Sequence, residues 1–291
     1  MLKISSMNGV IFSGLYAVDR QLENNLKAAI LGGGISAKLA GHPLMASAEQ
    51  QAASGFTWEG YYANAFSIGK AKDVVVIPVQ GTMSRGWTWD NYFSNEFMMS
   101  MLAHIAEDES KKGVIMRYNT GGGSVDSTDE FAAAVRAFNQ VKPSVGLINY
   151  CASAGFWVGS QNKELVMMPN SVSRVGSIGT IYIHTNIKKA LDQQGYDVQI
   201  FRSTGSSDKA RINPIEELDP ELEQEIQRDL DSSNKAFKSE VRRGRGAKIT
   251  SDEIYTGKMY GVDGAIQLGL ADAKGDLPYA YNRVLQLSKQ K

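Results

Sequence analysis

The chain has 291 residues, enough for one large domain or for a core of about 200 residues with an extension. Lysine plus arginine equals aspartate plus glutamate at 31 each, so no global charge favours nucleic acid or an anionic membrane surface. The single cysteine, Cys151, excludes an intrachain disulfide, and with three scattered histidines the composition predicts no metal site and no cofactor.

The first 70 residues differ in composition from the rest of the chain. They contain the glycine-rich LGGGISAKLAGHP (31–43) and the alanine- and glutamine-rich MASAEQQAASG (45–55). We predict a partly helical N-terminal extension over residues 1–70, acting as a propeptide or an assembly arm, and a main domain over residues 71–291. The apolar run near the start is short and interrupted, and no run reaches the ~20 apolar residues of a spanning helix. We therefore expect neither a signal peptide nor a membrane anchor, and a cytoplasmic chain.

From about residue 73, strand-like apolar runs alternate with segments of helical spacing, which predicts an α/β protein with a substantially parallel sheet. The predicted strands cover residues 74–79, 113–118, 144–149, 164–169, 178–184 and 197–201. The predicted helices cover residues 91–108, 126–141, 154–161, 187–195 and a stretch that opens at Asp219 and Pro220 and runs to about Arg243.

Three consecutive glycines in RYNTGGGSVDS (117–127) follow a predicted strand and precede a helix. Glycine tolerates positive φ and close approach, so backbone N–H groups at such a joint can point into a cavity and bind a phosphate or an oxyanion. The segment lacks the Gly-Lys-Ser/Thr ending of a phosphate-binding loop, which disfavours phosphate. A glycine turn that only permits close packing of strand and helix stays open as an alternative.

Ser153 lies in INYCASAGFWVGS (148–160), between a strand-like run and a helix-like run. Cys151 stands where the elbow of an α/β-hydrolase carries a glycine, and only His184 follows downstream, so a Ser-His-Asp triad is disfavoured. The start of a helix favours developing negative charge, but a serine hydroxyl needs a base to act as a nucleophile. Taken alone, the position predicts a helix N-cap.

Lys209 lies in the polar segment STGSSDKARINP (203–214), which we predict to be a loop. A lysine serves as a general base when burial keeps its amine uncharged, whereas a single lysine in a loop is by default exposed to solvent. The case for Lys209 as a base therefore depends on the other motifs.

The glycine turn, the serine and the lysine, in this order, resemble the signal peptide peptidase A (protease IV) family of Ser/Lys peptidases, above all its phage head-protein members similar to lambda's protein C. The likeness covers roughly residues 73–285. It includes VVVIPVQGTM, RVGSIGTI (174–181) and the closing run from EVRRGRGAK to LGLAD. Gly121 departs from a proline in the family pattern, and Ala154 departs from a glycine.

The resemblance implies a Clp-protease/crotonase-like fold, built of ββα superhelix units and assembled into rings or stacks. It implies that Ser153 is the nucleophile, that Lys209 is the general base and that Ser177 orients the lysine amine. It also implies an oxyanion hole formed by the glycine turn and the helix start, from Gly122, Gly123 and Ala154.

We therefore expect a serine endopeptidase that acts on polypeptides and associates with copies of itself and with capsid or portal proteins, in a bacterial host's cytoplasm or in the virion. Three alternatives stay open: a bacterial peptidase that degrades signal peptides, a crotonase-like acyl-CoA enzyme, and a catalytically silent capsid protein. The aromatic WTWDNYF (87–93) is predicted to line a substrate groove or a subunit contact. The basic RRGRGAK (242–248) is interpreted as a solvated helix C-terminus or an assembly contact, and not as a nucleic-acid site.

Overall fold

The computed structural model describes the backbone of residues 16–18 and the full residues 57–290. Most strands of these residues belong to one sheet with the order β10-β7-β6-β4-β3-β2, in which β8 also pairs with β6 and β9 pairs with β8. The remaining two strands, β1 and β5, pair with each other. The strands are β1 (Tyr16–Val18), β2 (Ser67–Ile68), β3 (Val74–Gln80), β4 (Gly113–Thr120), β5 (Gly122–Ser124), β6 (Ser144–Ala152), β7 (Glu164–Met167), β8 (Arg174–Gly176), β9 (Met259–Tyr260) and β10 (Ala273–Lys274).

Helices connect the parallel strands, and half of the described helices begin at a polar side chain that caps the first turn. Ser94, Asp219 and Asp276 each accept a hydrogen bond from a backbone N–H in the first turn of the helix that follows. The helices are α1 (Trp58–Ala65), α2 (Asn95–Glu107), α3 (Thr128–Val141), α4 (Ala154–Gly159), α5 (Lys188–Gln193), α6 (Pro220–Arg245), α7 (Val262–Gln267) and α8 (Leu277–Leu287).

The parallel strands are buried on both faces, because helices cover each side of the sheet. One face packs against α2, α3, α4 and α6, with Trp157 of α4 stacked on Phe237 of α6 at a centroid distance of 4.6 Å. The other face packs against α8, through Ala280 and Val284. The sheet is therefore the middle layer of three, and both faces of β4 and β6 are fixed by packing.

Four of the six predicted strands are confirmed, as β3, β4, β6 and β7. The predictions of strands at 178–184 and 197–201 are wrong for the described structure, which forms only an isolated bridge residue and irregular backbone there. A strand needs a neighbour for its N–H and C=O groups, and among the described residues none pairs with these segments. Phe201 is 87% exposed, so the apolar pattern of the second segment is not buried within the chain.

Part of the predicted N-terminal extension packs on the main sheet. Helix α1 contributes Ala63 to the core, and β2 pairs with β3. The glycine-rich 31–43 and the 45–55 segment lie outside the described residues, and the boundary at residue 70 stays a prediction. In the part of the chain that the structure describes, no helix combines the length and the apolar character needed to cross a membrane.

Candidate active site

Ser153 occupies a sharp turn between β6, which ends at Ala152, and α4, which begins at Ala154. Its backbone has φ 56° and ψ −122°, a conformation that costs a non-glycine residue of order 1–3 kcal/mol. The backbone N–H of Ser153 donates to the carbonyl of Gly176 at 2.9 Å, which holds the turn in place. The structure therefore places a strained serine at a strand-to-helix elbow, although the glycine-flanked elbow motif is absent from the sequence.

The side chain of Ser153 does not cap the helix that follows it. The residue is fully buried, and among the described residues its Oγ atom has no hydrogen-bond partner. Ser153 therefore occupies the predicted N-cap position of α4, but its hydroxyl accepts no hydrogen bond from the first turn and so does not cap the helix. The N–H of Ala154, the first residue of α4, belongs to the group of helix-start donors that have no partner within the helix.

The glycine turn forms the short strand β5, and two of its glycines are required for different reasons. Gly122 has φ 97°, which L side chains rarely adopt. A Cβ atom on Gly123 would overlap the backbone carbonyl of Met83, because the N–H of Ser124 donates to that carbonyl at 2.9 Å. β5 is thus a strand of bare backbone, held against Met83 along one edge.

Thr120 fixes β5 relative to the serine, although sequence analysis did not single it out. Its Oγ1 donates to the carbonyl of Gly81 at 2.6 Å and accepts the N–H of Gly122 at 3.1 Å. Thr120 also lies opposite Cys151 in the parallel pairing of β4 with β6. Since the two strands end side by side, β5 and Ser153 leave the same edge of the sheet together. Met83 was also missed. The only sequence signal is position, since Thr120 ends a strand and Met83 follows a strand end by a few residues.

Ser177 lies next to Ser153 through a second strand pairing. In the parallel pairing of β6 with β8, Ala152 lies opposite Gly176, and the residue after each is a serine with φ 56°. The N–H of Ser177 donates to the carbonyl of Lys258 at 2.8 Å. Neighbouring strand ends therefore carry five of the predicted site residues, namely Ser153, Ser177, Ala154, Gly122 and Gly123.

Lys209 is the predicted site residue that the single chain does not bring to Ser153. It is exposed, and no hydrogen bond joins its amine to the buried hydroxyl. Its backbone is nevertheless braced, because Arg202 donates to the Lys209 carbonyl at 2.6 Å and pairs with Glu216. The hydrogen bonds from Arg202 and from Asn213 lower the pKa of Glu216 to about 2.

The surroundings of Cys151 and of the basic segment RRGRGAK (242–248) fit structural roles for both. Burial raises the pKa of the Cys151 thiol well above its usual range, which fits the prediction of a small buried residue. Arg245, at the end of α6, is buried and donates to Asp272 at 2.8 Å, which departs from the prediction of a solvated helix end, although Arg242 and Arg243 are exposed. Within residues 57–290, no group of three or more potential metal ligands comes together.

A family model described as "Peptidase family S49" matches residues 136–291, which is more than half of the chain. The chain belongs to peptidase family S49. The matched region includes Ser153, Ser177 and Lys209 and begins after the glycine turn. The prediction of a family of signal peptide peptidase A type is thereby confirmed.

Relatives of this S49 chain include enzymes of phages and of bacteria. It is 26% identical over 210 residues to capsid assembly protease C of Escherichia phage lambda, covering 68% of this chain and 46% of that protein. It is 28% identical over 189 residues to protease 4 of Salmonella typhi, covering 63% of this chain and 29% of that protein. The S49 chain thus matches less than half the length of either relative. A solved mutant of the 1510-N membrane-bound stomatin-specific protease is similar with a TM-score of 0.40 and 15% identity, covering 74% of this chain and 84% of that one.

Proposed function

We propose that the chain is a serine endopeptidase in which Ser153 is the nucleophile and Lys209 is the general base. The observation that carries the proposal is the Ser153 hydroxyl, which is buried, without a partner among the described residues and held on a strained elbow beside the bare backbone of β5. A buried polar group without a partner costs stability, and such a cost is typical of functional sites.

In this mechanism Ser153 Oγ attacks the carbonyl carbon of the scissile bond and its proton passes to the amine of Lys209. The oxygen that becomes negative accepts hydrogen bonds from the N–H groups of Gly123 and Ala154, the latter at the positive end of α4. Lys209 then gives the proton to the departing amine as the C–N bond breaks, which leaves an acyl group on Ser153. Water attacks the carbonyl carbon of this ester and passes a proton to Lys209. As the acyl–Oγ bond breaks, Lys209 returns that proton to Ser153 Oγ and the acyl group leaves as a carboxylic acid. Ser177 orients the lysine amine.

We place the lysine of each site on a second copy of the chain. Within one chain Lys209 is exposed, yet its loop is braced by Arg202 and Glu216, so the loop presents the lysine outward in a fixed conformation. The same region leaves Phe201 87% and Tyr196 61% exposed, and the strand-like residues 197–201 lack a neighbouring strand among the described residues. Burial of this region against a second copy would exclude water from the amine and favour its uncharged form.

This arrangement agrees with a Clp-protease/crotonase-like fold assembled as a ring or a stack. The succession β4, β5, α3 has the order strand, strand, helix that such a fold repeats. A contact in which one copy's lysine loop meets the next copy's serine is heterologous, and heterologous contacts form a ring when the rotation between copies closes.

We propose that the substrate is an extended segment of a capsid-associated protein. This choice is supported by the similarity to capsid assembly protease C of phage lambda, which extends over 68% of this chain. The similarity to protease 4 supports signal-peptide degradation as the second candidate.

Casein and extended peptides provide the first assay, with Ser153→Ala, Lys209→Ala and the matched control Lys189→Ala, which replaces another exposed lysine. We expect both site variants to lose activity by several orders of magnitude and the control to retain it. Hydrolysis that survives both substitutions would eliminate the dyad and leave a crotonase-like or a structural protein.

Mixing the two inactive variants tests whether the lysine comes from a second copy. In a random equal mixture, about a quarter of the heterologous contacts join an intact serine to an intact lysine, so about a quarter of the wild-type rate should return. A mixture that stays inactive, although sedimentation shows mixed oligomers, would place both residues of the dyad in one chain.

A further inference from the structure

The N-terminal strand β1 lies along the free edge of β5. The two strands are antiparallel, with Tyr16 opposite Ser124, Ala17 opposite Gly123 and Val18 opposite Gly122. The other edge of β5 is occupied by Met83, which forms a parallel bridge with Gly123. A three-residue strand at the candidate site is therefore paired on both edges, and one partner is a distant segment of the same chain.

The hydrogen bonds to Met83 determine which groups of β5 face β1. The N–H of Met83 donates to the carbonyl of Gly122 at 2.8 Å, and the carbonyl of Met83 accepts from the N–H of Ser124 at 2.9 Å. Backbone groups of successive residues in a strand point to opposite edges. The N–H and C=O of the intervening Gly123 therefore point toward β1, where Ala17 is the opposite residue.

We propose that residues Tyr16–Val18 are an intramolecular blocking strand that occupies the peptide-binding edge of β5. This inference rests on the proposed function, because Gly123 N–H is the oxyanion donor of that mechanism. With Ala17 opposite Gly123, the strand lies where the substrate residue that contributes the scissile carbonyl would lie. An extended substrate adding to β5 would need the same backbone groups, so substrate and blocking strand exclude each other.

The strand has an advantage over a free peptide because it is tethered. An intramolecular partner acts at an effective concentration set by its tether, and a free peptide must compete with that concentration. If the edge is free in one molecule of ten, the apparent affinity for an added peptide falls about tenfold. Release of β1 should therefore raise kcat/KM for added peptides by about this factor, chiefly through KM.

An engineered disulfide tests the pairing without any need for catalysis. Ser124 N–H is directed to Met83, so Tyr16 and Ser124 form a non-hydrogen-bonded pair with Cα atoms about 4.5 Å apart, within the range of a disulfide. The double variant Tyr16→Cys/Ser124→Cys should oxidise to a cross-link within one chain. The matched control Val18→Cys/Ser124→Cys is two residues out of register and should not.

Peptide hydrolysis then tests the blocking role. The oxidised Tyr16→Cys/Ser124→Cys chain should be inactive and should regain activity on reduction. Ala17→Pro removes the N–H that faces Gly123 and should raise kcat/KM about tenfold, whereas Ala17→Ser keeps that N–H and should leave it unchanged.

The outcomes separate this inference from the proposed function. A cross-link that forms in a chain inactive in both redox states would support the strand position and overturn the peptidase. Absence of the cross-link, a cross-link between two chains, or an active oxidised form would overturn the blocking strand, whatever the peptidase activity.

Discussion

Replacement of Ser153 by alanine should stabilise the protein while it abolishes peptidase activity. The Ser153 hydroxyl is fully buried and has no hydrogen-bond partner in the described part of the chain. Alanine retains the Cβ atom, so the strain of the φ 56°, ψ −122° backbone is unchanged by the substitution. The change in stability therefore reports the hydroxyl group alone.

The magnitude follows from the cost of burying a polar group without a partner, which is about 1–3 kcal/mol. Because the hydroxyl makes no hydrogen bond that the substitution could remove, we expect the free energy of unfolding to rise by about 1–2 kcal/mol. A change of 1 kcal/mol corresponds to about 2–4 °C in Tm for a domain of 150–250 residues.

Two other buried serines provide matched controls. Ser173 is also fully buried, and among the described residues its Oγ atom has no hydrogen-bond partner. Ser173→Ala should therefore give a similar rise in the free energy of unfolding, with activity retained. Ser160 is buried too, but its Oγ donates to the Trp157 carbonyl at 2.8 Å and accepts from Gln161 at 2.9 Å. Ser160→Ala should therefore lower the free energy of unfolding.

Stability is measured by urea unfolding followed by circular dichroism, at a protein concentration where sedimentation shows single chains. Hydrolysis of an extended peptide is measured separately, at a concentration where sedimentation shows the oligomer. If Ser153→Ala lowers the urea midpoint in the way that Ser160→Ala does, the hydroxyl is hydrogen-bonded in the folded chain. The interpretation of Ser153 as an unpartnered nucleophile would then be refuted.

Three further predictions concern the glycine strand, the lysine loop and a buried ion pair. Gly123→Ala, whose methyl group would overlap the Met83 carbonyl, should displace the oxyanion donor and lower kcat about 10²–10³-fold, measured in the peptide assay; a rate within twofold of wild type would contradict this role. Arg202→Ala should loosen the lysine loop and lower activity, with a free energy of unfolding within about 0.5 kcal/mol of wild type; unchanged activity would show that the brace is dispensable. Asp272→Asn leaves the buried Arg245 without its carboxylate and should cost about 3–5 kcal/mol in urea unfolding. Burial alone would raise the pKa of Asp272, but the hydrogen bonds and the charge of Arg245 lower this pKa overall. The ion pair therefore stabilises the folded protein at pH values above the ordinary pKa of 3.8. This stabilisation is lost as the pH falls through the lowered pKa. Equal acid sensitivity of wild type and Asp272→Asn in urea unfolding would contradict this last prediction.

The central strands could be predicted from the sequence because each is an uninterrupted apolar run that is buried on both faces. The runs at 178–184 and 197–201 have similar patterns but form no strands in the single chain. An apolar pattern forms a strand only where a neighbouring strand pairs with it, and the pattern itself does not show whether that neighbour exists. Phe201 in the second run remains 87% exposed. β5 could not be predicted as a strand, since glycine has low strand propensity and its pairing partners are remote in sequence.

The candidate site was predicted in part. The resemblance names Ser153, Gly123 and Ser177 as site residues, and the structure carries them on neighbouring strand ends, while their roles stay predictions. Neither the positive φ of Ser153 nor the contact of Met83 with Gly123 can be read from local sequence, because both arise from how β4, β6 and β8 end side by side. The sequence pattern of one chain likewise cannot show which copy's serine Lys209 meets, and the role of Lys209 as the general base stays a prediction.

The glycines of β5 have a consequence for which polypeptides the protein accepts. At the edge of β5 that a substrate would join, Gly123 offers only main-chain groups, and main-chain groups are the same in every substrate residue except proline. Contacts at this strand therefore recognise the extended backbone of a substrate and not the identity of its side chains. The protein should therefore accept many different residues close to the scissile bond and exclude only proline at the position opposite Gly123. Any narrower cleavage specificity must come from side-chain pockets elsewhere or from which polypeptides the assembly allows to reach the serine.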